Sequence, residues 1–136
     1  MDRVVLDTNV VVSALIGRGN PKRILQLIFS GELTVCLSAD AYSEYVAVLS
    51  RPKFVRYLEF AQSSISALKH LKSLAHFIER PPRVTVCLDP DDDKFVALAL
   101  ATHAAYLITG NKRHFPLGSY KGIRTVSPAE FLEIRG

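Results

Sequence analysis

The chain has 136 residues, 49% of them hydrophobic, which is enough for one compact domain to bury a core without disulfides or a structural metal. Its formal net charge of +4 is a modest excess that is compatible with a polyanionic partner but does not require one. The apolar runs are too short to cross a bilayer and the first residues lack a secretory signal. We therefore expect a single domain over residues 1–136 that stays in the cytoplasm, away from membranes.

The first part of the chain alternates strand patterns with helical patterns. Runs rich in β-branched residues predict strands at Arg3–Leu6 and Thr34–Leu37. Between them an apolar stripe predicts a helix over residues 21–31, with Pro early and Gly at its end. Ser38 is suited to cap a further helix that runs towards Leu49.

The second part continues this alternation. Apolar residues at three- and four-residue steps predict an amphipathic helix over Ser63–Ile78. The remaining predicted strands are Val84–Leu88, Tyr106–Thr109 and Ile123–Val126, and the remaining predicted helices are Phe95–Ala105 and Pro128–Ile134. Such alternation implies right-handed crossovers and a mainly parallel sheet with helices on both faces, so the predicted fold class is α/β.

Asp7 stands where the first predicted strand ends, in the sequence Asp7-Thr8-Asn9. Ligands of open α/β sheets gather at the carboxyl ends of parallel strands, so this carboxylate is a candidate for metal or phosphate chemistry. An Asp at this place can also simply start a turn or cap the next helix.

The loop after the third predicted strand contains four carboxylates in five residues, 89–93. One or two acids at a helix N-terminus need no functional explanation. Four repel one another unless a cation or solvent screens them. An EF-hand calcium loop does not fit, because Lys94 stands where its glycine belongs and Leu100 where its glutamate belongs.

Two further polar positions fall at the same predicted edge of the sheet. Glu44 lies about one and a half turns into the helix after the second strand, and Asn111 follows the fourth strand. A solvent-facing Glu and a plain turn would explain them singly. Together with Asp7 and either Asp92 or Asp93, they predict an oxygen-rich site for a hard divalent cation such as Mg²⁺. Such a metal activates water for attack on a phosphodiester.

These segments resemble the PIN-domain family, most closely the single-domain prokaryotic PIN toxins that are the ribonuclease component of type II toxin–antitoxin systems. The segments that carry the resemblance are Val4–Val10, Glu44, Asp89–Ala99 and Leu107–Phe115. The resemblance implies a three-layer α/β/α fold with a parallel sheet of about five strands in the order 3-2-1-4-5. It also implies an endoribonuclease dependent on Mg²⁺ or Mn²⁺, an RNA substrate, an antitoxin partner encoded nearby and a homodimer.

The resemblance also implies roles for individual side chains. Asp7 and one of Asp92 and Asp93 would bind metal directly, and Glu44 would bind metal or orient the attacking water. Candidate catalytic and metal-binding residues are therefore Asp7, Glu44, Asp92 and Asp93. Residues that would support them through hydrogen bonds are Asn9, Thr109 and Asn111.

Two points of this comparison stay open. Asp92 leaves Ala99 seven residues on, as in many relatives, whereas Asp93 better matches the spacing to Asn111. Many PIN nucleases have Asp at the position of Asn111, and relatives with Asn there commonly carry another acid at the position of His114. Since this chain has neither, we expect one tight metal site with a second metal weak or absent.

Basic residues near the predicted site are candidates for contacts with RNA phosphates, which give affinity without reading sequence. They are Arg18, Lys22, Arg23, Lys112 and Arg113. Charges of this kind are equally common on ordinary solvated surfaces.

Three other functions remain possible on sequence grounds. A haloacid-dehalogenase-like phosphatase has a nucleophile loop similar to that at Asp7, but Asn9 replaces its second Asp. A phosphoacceptor receiver module would use Asp89 and Thr109, but it needs paired acids after the first strand and a Lys after the fifth. A PIN domain that binds RNA without cutting it would account for Asn111.

Overall fold

The structure is a computed structural model that describes residues 2–55, 58–116 and 118–136, without the side chains of residues 55 and 58–61. Within these ranges one sheet contains β1 (Arg3–Leu6), β2 (Thr34–Leu37), β3 (His76–Phe77), β4 (Tyr106–Ile108), β5 (Ser119–Tyr120) and β6 (Ile123–Val126). The order is β3-β2-β1-β4-β6-β5, and every neighbouring pair is parallel except the antiparallel pair β5–β6. The predicted α/β fold with a mainly parallel sheet is confirmed.

Helices connect these strands. They are α1 (Thr8–Ile16), α2 (Asn20–Phe29), α3 (Ala39–Leu49), α4 (Pro52–Val55), α5 (Leu58–Leu74), α6 (Asp93–Thr102) and α7 (Pro128–Arg135), with 3₁₀ turns at Pro90–Asp92 and Lys112–His114. Among the described helices, none is both long and apolar enough to span a membrane. The hydroxyl of Ser38 accepts a hydrogen bond from the Ala41 backbone N–H and caps α3, as predicted.

The central strands are covered on both faces. Val4, Val5 and Leu6 of β1 are each at most 1% exposed, although successive side chains of a strand point to opposite faces. Helix α6 packs on β1, β2 and β4, with Phe95 and Leu98 buried against them. The carboxyl ends of β1 and β4 are therefore held side by side in a rigid core, and the loops that follow them start from fixed points.

The predicted third strand is wrong. Residues 84–88 form no strand, because the backbone N–H groups of Val86 and Cys87 donate to the carboxylate of Asp93 instead of to a neighbouring strand. The strand beside β2, at the edge of the sheet, is β3. Its residues belong to the predicted amphipathic helix, which in the structure already ends at Leu74.

The predicted fifth strand is β6, and the hairpin partner β5 was missed. Tyr120 pairs with Ile123 across the two-residue turn Lys121-Gly122, and both turn residues have positive φ, 49° and 88°. Positive φ at both central positions is the geometry of a type I′ hairpin turn. The described sheet therefore extends the predicted order by one short antiparallel strand.

Candidate active site

Asp7 ties the end of β1 to the end of β4. Its backbone N–H still donates to the carbonyl of Ile108 at 3.0 Å, so the chain leaves the sheet only after this residue. Its Oδ1 accepts from the backbone N–H of Asn9 at 3.0 Å, which caps α1, and its Oδ2 accepts from the Thr109 hydroxyl at 2.5 Å. The side chain is 7% exposed. Asp7 thus caps α1, which is one of the two roles considered from the sequence, and its carboxylate is held at the sheet edge.

The hydrogen bonds around Asp7 differ in one respect from expectation. Asn9 contributes its backbone N–H while its side chain is exposed, so the amide of Asn9 does not hold Asp7. The buried Thr109 hydroxyl donates to Asp7 and accepts from the backbone N–H of Asn111 at 3.0 Å. Thr109 therefore fixes both the carboxylate and the loop that follows β4.

Glu44, on α3, is partly buried, and both of its oxygens contact other residues of the chain. Its Oε2 accepts from the buried Thr8 hydroxyl, and its Oε1 accepts from the Lys94 ammonium at 2.5 Å. Sequence reasoning missed both partners of Glu44. The available signals were their positions, since Thr8 directly follows Asp7 and Lys94 directly follows the acidic run.

Asp92 ends the 3₁₀ turn before α6 and has a buried, unpaired oxygen. Within the described part of the chain, its Oδ2 makes no hydrogen bond, and the basic side chain within salt-bridge distance is His114, whose Nδ1 lies 3.5 Å away. Burial raises the pKa of the Asp92 carboxyl, and the negative charges of Asp7, Asp89 and Glu44 raise it further, while His114 offsets part of this rise. The structure therefore brings Asp92 into the electrostatic reach of Asp7 and Glu44.

Asp93 has a different set of contacts. Its Oδ1 accepts from the backbone N–H groups of Val86 at 3.0 Å and Cys87 at 2.8 Å. Burial alone would raise the pKa of Asp93, but these backbone hydrogen bonds and one from the Cys87 side chain outweigh it, so its pKa lies below the ordinary value. Asp93 pins the segment that leads into the acidic loop, and Asp92 is the member of this pair that lies near the other acids.

Asn111 and His114 close the side of the site next to β4. The Asn111 amide nitrogen lies 3.1 Å from His114 Nε2, and the same ring contacts Asp92 through Nδ1. An imidazole thus stands between the amide and Asp92, at a position where an acid was considered from the resemblance.

The basic candidates do not form one surface. Lys112 pairs with Glu130 at 2.7 Å, and the pKa of Glu130 falls to about 2 because of this bond and the backbone N–H of Ser127. Arg113, beside Asn111, is exposed. The others lie beyond the nine residues of α1, about 13 Å of helix from Asp7. Of these, Lys22 lines a groove with α5 and Arg23 lines a groove with α7.

The acidic side chains are of the type that binds a divalent cation, but the described ones are not arranged closely around a common point. Within the described ranges, no three His, Cys, Asp or Glu side chains stand close enough to hold a metal. The observation that favours a cation is Asp92, whose buried oxygen makes no hydrogen bond and whose pKa is raised by burial and by nearby negative charges. Carboxylate oxygens are the ligands that Mg²⁺ and Mn²⁺ prefer. The residues that would hold the ion are Asp7 and Asp92, with Glu44 beside them.

Comparisons with known proteins agree with this fold. The chain is 33% identical, over 96% of its length and 90% of the other protein, to the uncharacterized protein MJ1680 of Methanocaldococcus jannaschii. The structure of VapBC2 from Rickettsia felis, bound to a DNA fragment from their promoter, contains a chain with the same fold. The TM-score is 0.60 at 16% identity, over 92% of this chain and 98% of that one. A family model for the PIN domain matches residues 3–113. By its sequence, its sheet and its fold, this chain belongs to the PIN-domain family.

Proposed function

We propose that this PIN domain is a metal-dependent endoribonuclease that hydrolyses RNA phosphodiester bonds, and that it is the toxin of a toxin–antitoxin pair. PIN domains are generally nucleases that use divalent metals. The observation that carries the proposal is the buried Asp92 oxygen that makes no hydrogen bond, in a carboxyl whose pKa is raised by burial and by the negative charges of Asp7, Asp89 and Glu44. A protein that used these acids only to cap helices would gain nothing from burying that oxygen.

The chain's own residues divide the work as follows. A bound Mg²⁺ or Mn²⁺ would polarise a phosphate oxygen of the RNA and would lower the pKa of a water molecule bound to it. Asp7 offers a carboxylate that Thr109 and the Asn9 N–H hold in one orientation. Asp92 offers the free oxygen, and Glu44 orients the attacking water from its position on α3. Preorganised ligands of this kind lower the cost of reaching the reactive geometry.

The proposed substrate approaches over the edge where β1 and β4 end. Arg113 is exposed next to this edge and would contact phosphate groups. Contacts from Lys112 would compete with its ion pair to Glu130. Arg18, Lys22 and Arg23 would act farther along a bound strand, beyond α1.

The proposed partners follow from the family. An antitoxin would restrain the nuclease in the cytoplasm until it is removed, and a homodimer would be the form that acts. VapBC2, with its shared fold, was solved with DNA from its own promoter, which supports the search for a partner protein of this chain that binds DNA.

The proposal is tested by incubating the pure protein with structured and unstructured RNA in Mn²⁺, in Mg²⁺ and in EDTA. We expect internal cleavage with either metal and none in EDTA. Intact RNA that is nevertheless bound, in all three conditions, would contradict catalysis and favour an RNA-binding PIN domain. Release of phosphate from small phosphomonoesters would favour the phosphatase. The exposed Asn9 side chain argues against that enzyme, because a phosphatase of this kind needs a second acid facing Asp7.

A further inference from the structure

Lys94 links the acidic loop to α3 through a mostly buried ion pair. Its ammonium lies 2.5 Å from Glu44 Oε1, and the two side chains are 23% and 27% exposed. The other Glu44 oxygen accepts from the Thr8 hydroxyl. Each oxygen of Glu44 thereby accepts one hydrogen bond from the chain itself, and its orientation is set from α1 and α6 together.

The ion pair also changes the charge of the site. Asp7, Glu44 and Asp92 carry three formal negative charges, and Lys94 returns one positive charge. Asn111 adds no charge where many family members have an acid. The net formal charge of Asp7, Glu44, Asp92 and Lys94 is therefore −2, which one divalent cation balances, and Asp89 in the same loop adds a further negative charge that acts on Asp92. A second cation beside a fixed ammonium would be repelled by it.

We propose that Lys94 is a positioning residue that holds and neutralises Glu44, so that the site takes one divalent cation with the Lys94 ammonium in the place of a second. This inference rests on the proposed function. Lys94 lies two residues from Asp92. The same short segment therefore supplies a carboxylate for the metal, from Asp92, and the positive charge that pairs with Glu44, from Lys94.

A different account of the same contact can be separated by experiment. Lys94 could leave Glu44 when metal arrives, and Glu44 would then become a ligand of that single ion. In that case, removing Lys94 would tighten the first binding event without adding a second. The inference predicts the opposite pattern, with the first event little changed and a second event gained.

The test is Mn²⁺ titration calorimetry on the whole chain. We expect one binding event for the wild type and for Lys94→Arg, which keeps the charge. For Lys94→Met and Lys94→Gln we expect a second event with an affinity at least about tenfold above any residual second binding of the wild type, because a positive charge next to the second site is gone. The double variant Glu44→Gln/Lys94→Met restores the original net charge and should return to one event.

Controls separate this from a general effect of charge and from unfolding. Lys69→Met removes an exposed lysine of α5 and should leave the titration unchanged. Circular dichroism checks each fold. If Lys94→Met does not fold, Lys94→Gln replaces it, because Gln still donates a hydrogen bond to Glu44. The double variant Glu44→Gln/Lys94→Met avoids leaving the Glu44 carboxylate without a partner.

The possible results distinguish the role of Lys94 from the proposed nuclease function. A wild type that binds one Mn²⁺, together with Lys94→Met and Lys94→Gln variants that also bind one, would overturn the role of Lys94 and leave the proposed nuclease standing. A wild type that binds two ions would overturn it as well. A wild type that binds no Mn²⁺ would overturn the metal-dependent function itself, and with it this inference.

Discussion

Asp92 and Asp93 are neighbours in the chain, yet replacing each by Asn should change stability in opposite directions. The pKa of Asp92 is raised by burial and by nearby acids, so the folded protein holds that proton more tightly than the unfolded chain does. Stability is therefore lost as pH rises through the Asp92 pKa. Asp92→Asn removes this loss, and we expect a higher melting temperature at neutral pH in EDTA.

Asp93→Asn should have the reverse effect because Asp93 is a satisfied acceptor. Its carboxylate accepts two backbone N–H groups, and hydrogen bonds to a charged acceptor exceed neutral ones by about 1 kcal/mol each. The variant should therefore lose about 2 kcal/mol, or roughly 6–10 °C in melting temperature for a chain of this size.

Activity should follow the other order. Asp92→Asn removes a proposed metal-binding carboxylate and should slow RNA cleavage in Mn²⁺ at least about hundredfold, which corresponds to about 3 kcal/mol. Asp93→Asn should lose less than about tenfold well below its melting temperature, since only its loop loosens. Thermal unfolding by circular dichroism and initial rates on a labelled RNA measure both effects. Equal, small losses of activity, or a common loss of stability, would refute the separation of roles.

Three further changes have defined outcomes. Asn111→Asp should strengthen a second Mn²⁺ binding event and raise activity at low metal. Unchanged stoichiometry and affinities would place Asn111 outside the metal site. Thr109→Val leaves a buried oxygen of Asp7 unpaired and should cost about 1–3 kcal/mol in urea unfolding, whereas Thr109→Ser should restore it; equal stabilities of Val and Ser variants would contradict that bond. The lowered pKa of Glu130 stabilises the fold above its ordinary value of 4.5, and this contribution is lost as pH falls towards about 2. Glu130→Gln should flatten this acid limb of the unfolding curve, and an unaltered limb would show that the pair with Lys112 adds nothing.

Local sequence patterns predicted most of the strands and helices of the fold. The strands β1, β2 and β6 follow from β-branched runs, and the cap at Ser38 follows from a side chain that bonds its own helix. The meeting of Asp7 with Thr109 follows from the parallel pairing of β1 and β4, because the carboxyl ends of neighbouring parallel strands share one edge.

Long-range side-chain contacts were the part that sequence could not supply. Residues 84–88 have a strand composition, but the Asp93 carboxylate takes two of their backbone N–H groups, so no ladder forms. Glu44 and Lys94 lie fifty residues apart, and only the packing of α3 against α6 brings them together. The two-residue strand β3 has too few residues to show a period.

The central claim is that Asp7 binds a metal that cuts RNA, and Asp7→Asn tests it most directly. Asn is as good a helix cap as Asp, so the variant should keep its circular dichroism spectrum. Cleavage of a labelled RNA is measured in Mn²⁺ and in EDTA for the wild type, for Asp7→Asn and for the exposed control Asp2→Asn. We predict metal-dependent cleavage by the wild type and Asp2→Asn, and a loss of at least about hundredfold in Asp7→Asn. Cleavage by Asp7→Asn at the wild-type rate, or by the wild type in EDTA, would contradict the account.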